Sequence, residues 1–192
     1  MSIFDKLRGA VDSAISNTSP KNFDSFGDKK ETFTFAKLPE SLSELRLLPE
    51  ASLESPFKTA ALTVIALCVY GADKNTGIEM LNFLKGPRPL SAHEISFLDD
   101  RFRDGNWYVP FSYFKGATPE NDYTPNEPFV LEVESNATSA ANEGYMKLIL
   151  KSGGADNPRN VTLRMKGDGR WFLWEQFLMV GIKTPKSQDP WA

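Results

Sequence analysis

The sequence SPFKTAALTVIALCVY, residues 55–70, contains the longest apolar run of the chain. Ser55 is a suitable N-cap, and proline is well tolerated at the first position of a helix. From residue 60 to residue 70 only Thr63 is not apolar, so this helix has no polar face to turn towards water. The run is too short for a transmembrane helix, which needs about 18 such residues. We therefore predict a central core helix over residues 57–70.

Helical patterns surround this stretch, from about residue 38 to residue 104. Two segments, TGIE at 76–79 and SAHE at 91–94, match the capping box. In that motif the hydroxyl of the N-cap residue accepts the backbone N–H of a glutamate three residues later. The carboxylate of this glutamate accepts the backbone N–H of the N-cap residue. The sequences KGP at 85–87 and DG at 104–105 should end the two helices that these boxes begin. The first half of the main domain is therefore predicted to be helical.

After residue 105 the apolar spacing changes from the period of a helix to the alternation of strands. The predicted strands are 107–114, 129–134, 145–151, 161–166 and 170–180. The dipeptide Asp168-Gly169 suits a two-residue hairpin turn. The last strand is apolar on both faces, which predicts either a central position in the sheet or cover on both of its faces. Helices followed by antiparallel strands, over about residues 107–184, indicate an α+β fold with a curved antiparallel sheet.

The beginning of the chain has a separate amphipathic pattern. A helix over residues 2–16 turns 100° per residue. It would carry its apolar side chains on one continuous arc, among them Phe4, Leu7, Val11 and Ile15. Residues 18–30 are mostly polar and contain Pro20 and Gly27, which is typical of a flexible linker. We therefore predict an amphipathic helix over 1–17, a linker over 18–30 and one α+β domain over 31–192.

Several segments resemble an uncharacterised family of bacterial cytosolic proteins of the Firmicutes type. They are SPF at 55–57, TAALTV at 59–64, FLKGP at 83–87, SYF at 112–114, GATPEN at 116–121 and WFLWE at 171–175. This resemblance implies no activity, because that family has no function to transfer. The order of helices and strands, with GRWFL at 169–173, also resembles the cone-shaped NTF2-like folds. An SH3-like small barrel from residue 129 is the alternative.

The composition restricts the classes of function. The chain has 22 basic and 25 acidic residues and a net charge of −3, so we expect no nucleic-acid partner. One cysteine and one histidine exclude an internal disulfide framework and a Cys/His zinc site. We predict no metal site and no cofactor. The first residues lack the continuous apolar stretch of a signal peptide, so we expect a cytoplasmic protein.

Two residues are candidates for acid–base chemistry. Glu175 interrupts the apolar strand 170–180, where a carboxylate must form an ion pair, lie at an open edge or line a cavity. Arginines close enough in sequence to pair with it are Arg159, Arg164 and Arg170. Histidine is the residue type suited to acid–base chemistry near neutral pH, but the place of His93 at the start of a capped helix is typical of a surface histidine. Neither residue by itself establishes a catalytic site.

We favour a non-catalytic binding or protein-interaction module. An isolated helix as short as residues 2–16 is only marginally stable in water, so its apolar arc should dock on this chain or on a partner copy. A membrane surface is a weaker alternative, because Lys6 and Arg8 are offset by Asp5 and Asp12. Tyr113, in an aromatic cluster, and Trp171 are further binding candidates.

The competing hypothesis is a small hydrolase or isomerase that uses Glu175 or His93 as the acid or base in a cavity. Titratable side chains in the main apolar pocket would support this hypothesis, and their absence would remove its basis. The sequence leaves open the identity of the ligand or partner, the oligomeric state and the biological pathway.

Overall fold

The computed structural model describes residues 27–191. In chain order the helices and strands are β1 (Lys29–Phe35), α1 (Leu42–Leu47), α2 (Pro56–Ala72), α3 (Lys74–Lys85), α4 (Ala92–Phe102), α5 (Tyr108–Phe111), β2 (Phe129–Ser135), β3 (Tyr145–Leu150), β4 (Arg159–Met165) and β5 (Trp171–Gln176). The predicted N-terminal helix, with Phe4, Leu7, Val11 and Ile15, lies outside the described residues.

The five strands form one antiparallel sheet in the order β1-β2-β3-β4-β5. Among the described residues β1 and β5 each pair on one side only, so the sheet is curved and open and does not close into a barrel. The α+β class is confirmed. Strand β1, which begins at Lys29 inside the predicted linker 18–30, precedes the helices and pairs with β2 over seven residues, from Lys29 opposite Ser135 to Phe35 opposite Phe129. A strand from before the helices therefore completes the sheet.

Helix α2 is the centre of the core, as its sequence predicts. From Pro56 to Tyr70 every residue except Lys58 is buried. The two threonines on this helix are satisfied, because Thr59 Oγ1 donates to the Trp171 carbonyl at 2.8 Å and Thr63 Oγ1 donates to the Thr59 carbonyl at 2.8 Å. The first of these bonds joins the helix to β5. No helix described within residues 27–191 is both long and apolar enough to cross a membrane.

The predicted strand over residues 107–114 is wrong. This segment forms α5 and the turn after it, and only Phe114 makes a single bridge, to Leu131. Pro110 has no backbone N–H to give to a ladder. The alternating aromatic residues pack instead against neighbouring loops, and the Tyr108 ring stacks on the Tyr123 ring at 5.1 Å. The aromatic residues of this segment alternate in the sequence as in a strand, but they do so because they are buried against neighbouring loops.

The two predicted capping boxes have different outcomes. Ser91 and Glu94 form the predicted box at the start of α4. The box at 76–79 is wrong, because α3 begins earlier, at Lys74, and Asp73 is its N-cap. The Asp73 carboxylate accepts the backbone N–H groups of Asn75 and Thr76. An acidic N-cap three residues upstream thus replaces the threonine.

Strand β5 lies at the edge of the sheet, so the central position, one of its two predicted alternatives, is wrong. Helices α2 and α3 both pack against this strand, which accounts for its apolar character and agrees with the other alternative, that other elements cover it. The Phe172 ring lies against Gly86, where a Cβ atom would clash with the ring. Gly86 also has a positive φ of 59°, so two independent constraints favour glycine at the end of α3.

Candidate functional site

A groove of about 570 Å³ lies between the end of α3, the beginning of α4 and β5. Buried apolar side chains form its floor: Leu67, Leu81, Leu98 and Leu173. Its rim is more exposed and includes Arg88, His93, Glu175 and Phe177. The groove therefore combines an apolar floor with titratable and charged groups at its opening.

The turn between α3 and α4 positions one wall of this groove. Helix α3 ends at Lys85, as the sequence KGP predicts, and Gly86 donates its N–H to the carbonyls of Asn82 and Phe83. The Asn82 side-chain oxygen accepts the Leu90 N–H at 2.8 Å, which holds the turn against α3. The Ser91 capping box then begins α4. These local bonds bring the end of one helix close to the beginning of the next.

A buried ion pair joins these two helix ends. The Lys85 side chain is only 2% exposed, and its Nζ donates to Glu94 Oε1 at 2.7 Å and to the Trp174 carbonyl at 3.4 Å. Glu94 Oε2 accepts the Ser91 N–H at 2.8 Å and the Ser91 hydroxyl at 2.7 Å. One carboxylate therefore both caps α4 and neutralises a buried ammonium.

The environment of Glu94 shifts its titration. Burial opposes ionisation of this carboxyl, but the hydrogen bonds from Lys85 and Ser91 stabilise the charged form and lower the pKa to about 2. The ordinary pKa of 4.5 applies to the unfolded chain. Between these two values the unfolded state binds more protons than the folded state, so acid favours unfolding.

We expect the free energy of unfolding to decrease as the pH falls from about 4.5 towards 2, because Glu94 is protonated first in the unfolded chain. Urea denaturation at a series of pH values measures this slope. The Glu94→Gln variant should have a shallower slope over the same range. An identical slope in both proteins would contradict the assignment of this pH dependence to Glu94.

The structure brings the two predicted acid–base candidates to the same groove. His93 and Glu175 both line it, and both are exposed. Glu175 forms no ion pair with any residue between positions 27 and 191, so the ion-paired alternative is wrong for this part of the chain. Glu175 lies on an edge strand, which is the open-edge alternative, and it also lines the rim of the groove; a role in a cavity stays a prediction.

The three arginines proposed as partners of Glu175 interact elsewhere. Arg159 donates to the carbonyls of Val180 and Gly181. Arg170 pairs with Asp168 at 2.8 Å, and Arg164 lies over the Trp174 ring. Each of these contacts is available because the arginine lies at a hairpin end or on an exposed sheet face.

The other predicted binding residues are buried packing residues. The Tyr113 side chain is 4% exposed, and its hydroxyl donates to the Leu178 carbonyl at 2.7 Å. Trp171 is also 4% exposed, and its backbone N–H donates to the Leu53 carbonyl at 2.8 Å. Within residues 27–191 no group of three histidine, cysteine, aspartate or glutamate side chains is arranged to hold a metal ion.

Sequence reasoning did not identify Lys85 as part of a site. The sequence shows it only as a basic residue in the last turn of a helix, a common position because it complements the helix dipole. Its burial depends on β5, which is distant in sequence. A capping-box glutamate close after a helix-ending lysine is the one local signal that could have suggested the pair.

Comparison with known proteins gives one match. A family model described as a domain of unknown function (DUF6935) matches residues 37–186, which include all five helices, strands β2 to β5 and the groove. No curated protein and no solved structure matches the chain. The resemblance to an uncharacterised family is confirmed.

Proposed function

The chain belongs to this family of unknown function, and from its groove we propose that it is a non-catalytic binding module whose occupant is its own N-terminal segment, residues 2–16. The observation that carries the proposal is the apolar floor of the groove with a partly apolar, charged rim. Phe177 on this rim is 43% exposed and extends the apolar lining of the groove to its opening. We place this activity in the cytoplasm, an expectation from the sequence.

The segment matches the groove in its chemistry. Its sequence pattern places Phe4, Leu7, Val11 and Ile15 on one arc, and an amphipathic helix binds a groove through such a row of apolar anchors. Lys6 and Arg8 lie at the two borders of the arc. Glu175, on the rim, has no ion pair among residues 27–191, so either of these border cations can neutralise it.

The chain between the segment and the domain is long enough. Strand β1, where the domain begins, and β5, beside the groove, lie at opposite edges of the sheet. Across five strands this separation is about 19 Å at the usual strand spacing. Residues 17–26, when extended, span up to roughly 33 Å. Docking on the same chain is therefore sterically possible, and docking on a second copy requires no additional length.

We expect Phe177→Asp and Leu7→Asp, each in the full chain, to release residues 2–16 from the groove. Burial of one phenylalanine or leucine side chain contributes about 1.5–3 kcal/mol, so backbone amides of this segment should exchange with deuterium at least about tenfold faster. Hydrogen exchange with mass spectrometry measures this change. Leu47→Asp is the matched control, because Leu47 is 84% exposed on α1 and does not line the groove.

Light scattering of the full chain measures its mass in solution. A monomer indicates docking within one chain, and a dimer indicates docking between two chains. Equal exchange of residues 2–16 in all four proteins would contradict the proposal. Sedimentation with anionic vesicles tests the membrane alternative. Vesicle binding that is lost in Leu7→Asp but retained in Phe177→Asp would favour that alternative.

The catalytic alternative rests on one observation, that His93 and Glu175 line the same groove. An enzyme of this kind requires a turnover that disappears in Glu175→Gln and in a His93 variant. Under the binding proposal, Glu175→Gln changes occupancy of the groove and leaves stability unchanged. A hydrolysis screen of the wild-type protein and both variants discriminates between the two hypotheses.

A further inference from the structure

Next to the groove, the structure has a second cleft, and we propose that it binds a phosphate monoester. The cleft measures about 550 Å³ and lies between the α3–α4 turn and the β4–β5 hairpin. Four cationic residues line it: Lys85, Arg88, Arg164 and Lys166. No carboxylate among the described residues lines it. The phosphate contacts in this cleft do not involve the N-terminal segment, but an organic group that reaches the groove would compete with that segment for the apolar floor.

Two of these four charges are already neutralised. Lys85 pairs with Glu94 at 2.7 Å, and Lys166 pairs with Asp168 at 3.3 Å. Arg88 and Arg164, in contrast, form no ion pair with any residue of the described part of the chain. The cleft therefore presents two positive charges that are free to bind an external anion.

The two free arginines are held in place by aromatic stacking. The Arg88 guanidinium carbon lies 4.4 Å from the centroid of the Trp174 ring, and that of Arg164 lies 4.8 Å from the same ring. Arg164 also lies 5.3 Å from the Tyr145 ring, which meets Trp174 edge-on. A stacked guanidinium keeps its N–H donors at its edge, where they can bind phosphate oxygens in a bidentate manner. Stacking thus positions both groups before a ligand arrives.

The number of free charges favours a doubly charged anion. A phosphate monoester carries a charge of about −1.5 to −2 at pH 7, because its second pKa is about 6. A carboxylate would neutralise only one arginine. Nucleic acid is disfavoured, because Arg88 and Arg164 both lie over the Trp174 ring on which a base would stack, and because the chain has a net charge of −3.

The cleft and the groove are adjacent and share part of their lining. Four residues line both of them: Lys85, Arg88, Leu173 and Trp174. An organic group esterified to the phosphate can therefore extend from the cleft towards the apolar floor of the groove. For this reason we expect a phosphorylated organic molecule to bind more tightly than free phosphate.

Isothermal titration of the full chain with phenyl phosphate, inorganic phosphate and benzoate tests the proposal. We expect phenyl phosphate to bind, and Arg88→Ala and Arg164→Ala each to raise its dissociation constant at least about tenfold, the effect of losing a charge-assisted hydrogen bond. Arg88→Lys should give an intermediate dissociation constant, because lysine keeps the positive charge but lacks the two parallel N–H donors of the guanidinium. Arg46→Ala is the matched control, since Arg46 stacks on Phe83 at 5.1 Å and does not line the cleft.

The comparison of ligands identifies the source of the phosphate. Tighter binding of phenyl phosphate indicates a phosphorylated organic molecule, and equal binding indicates free phosphate; both results support the site. Three results would overturn the proposed site. The first is no binding of phenyl phosphate or inorganic phosphate at millimolar concentration. The others are a loss of affinity in Arg46→Ala equal to that in the cleft variants, and benzoate binding as tight as that of phenyl phosphate. Thermal melting checks that each variant is folded, and the exposed Arg88 provides the decisive variant if Arg164→Ala unfolds.

Discussion

Glu94→Gln is expected to lower the free energy of unfolding by about 3 kcal/mol. Removing one partner of a buried ion pair costs about 3–5 kcal/mol, because it leaves a buried charge without compensation. Lys85 is 2% exposed and has Glu94 as its ionic partner, but a third of the Glu94 side chain reaches water, which favours the lower end of that range. Glutamine keeps the size of the side chain and can still cap α4, so the variant isolates the loss of charge.

Urea denaturation of three variants measures this effect. The double variant Lys85→Met with Glu94→Gln should recover most of the lost stability, because it contains no buried charge. Asp156→Asn is a control for a solvent-exposed pair, since the side chains of Lys183 and Asp156 are 60% and 78% exposed, and it should cost at most about 1 kcal/mol. Equal effects of Glu94→Gln and Asp156→Asn would show that burial of Lys85 is unimportant.

Ile65→Ala and Leu67→Ala should each destabilise the protein by about 2–5 kcal/mol. Both side chains are completely buried on α2, so truncation removes apolar contacts and leaves a cavity in the core. Leu47→Ala, at an exposed position on α1, should change stability by no more than about 0.5 kcal/mol. Denaturation midpoints that are unchanged in both core variants would contradict the central position of α2.

The sequence predicts those elements whose pattern has a single physical explanation. The run from residue 60 to residue 70 has no polar face, so burial is its only stable state, and all eleven of its residues are buried. The Ser91 capping box needs only local bonds, and it forms. Residues 107–114 and 170–180 are different, because aromatic alternation and double-sided apolarity each fit several arrangements. Only the tertiary contacts of α5 and β5 select among them.

The candidate site was predictable in part. Glu175 and His93 each break a local pattern or carry unusual chemistry, and both line the groove. Lys85, Arg88 and Arg164 do neither, because their roles depend on burial by β5 or on the Trp174 ring, which no local spacing reveals. Ion pairs and cation–aromatic contacts between residues that are distant in sequence therefore could not be predicted from local sequence patterns.

The pairing of β1 with β2 determines where a fragment of this protein must begin if it is to be expressed without aggregation. The family match begins at residue 37, after β1 has ended, so a fragment cut at that boundary would lack the strand that covers β2. The backbone of β2 would then be an unpaired edge beside the apolar Leu131 and Val133, a recognised template for aggregation. In the intact chain the outer edge carries Lys29 and Lys30, charges that discourage such pairing. The cooperative folding unit is thus larger than the region that defines the family.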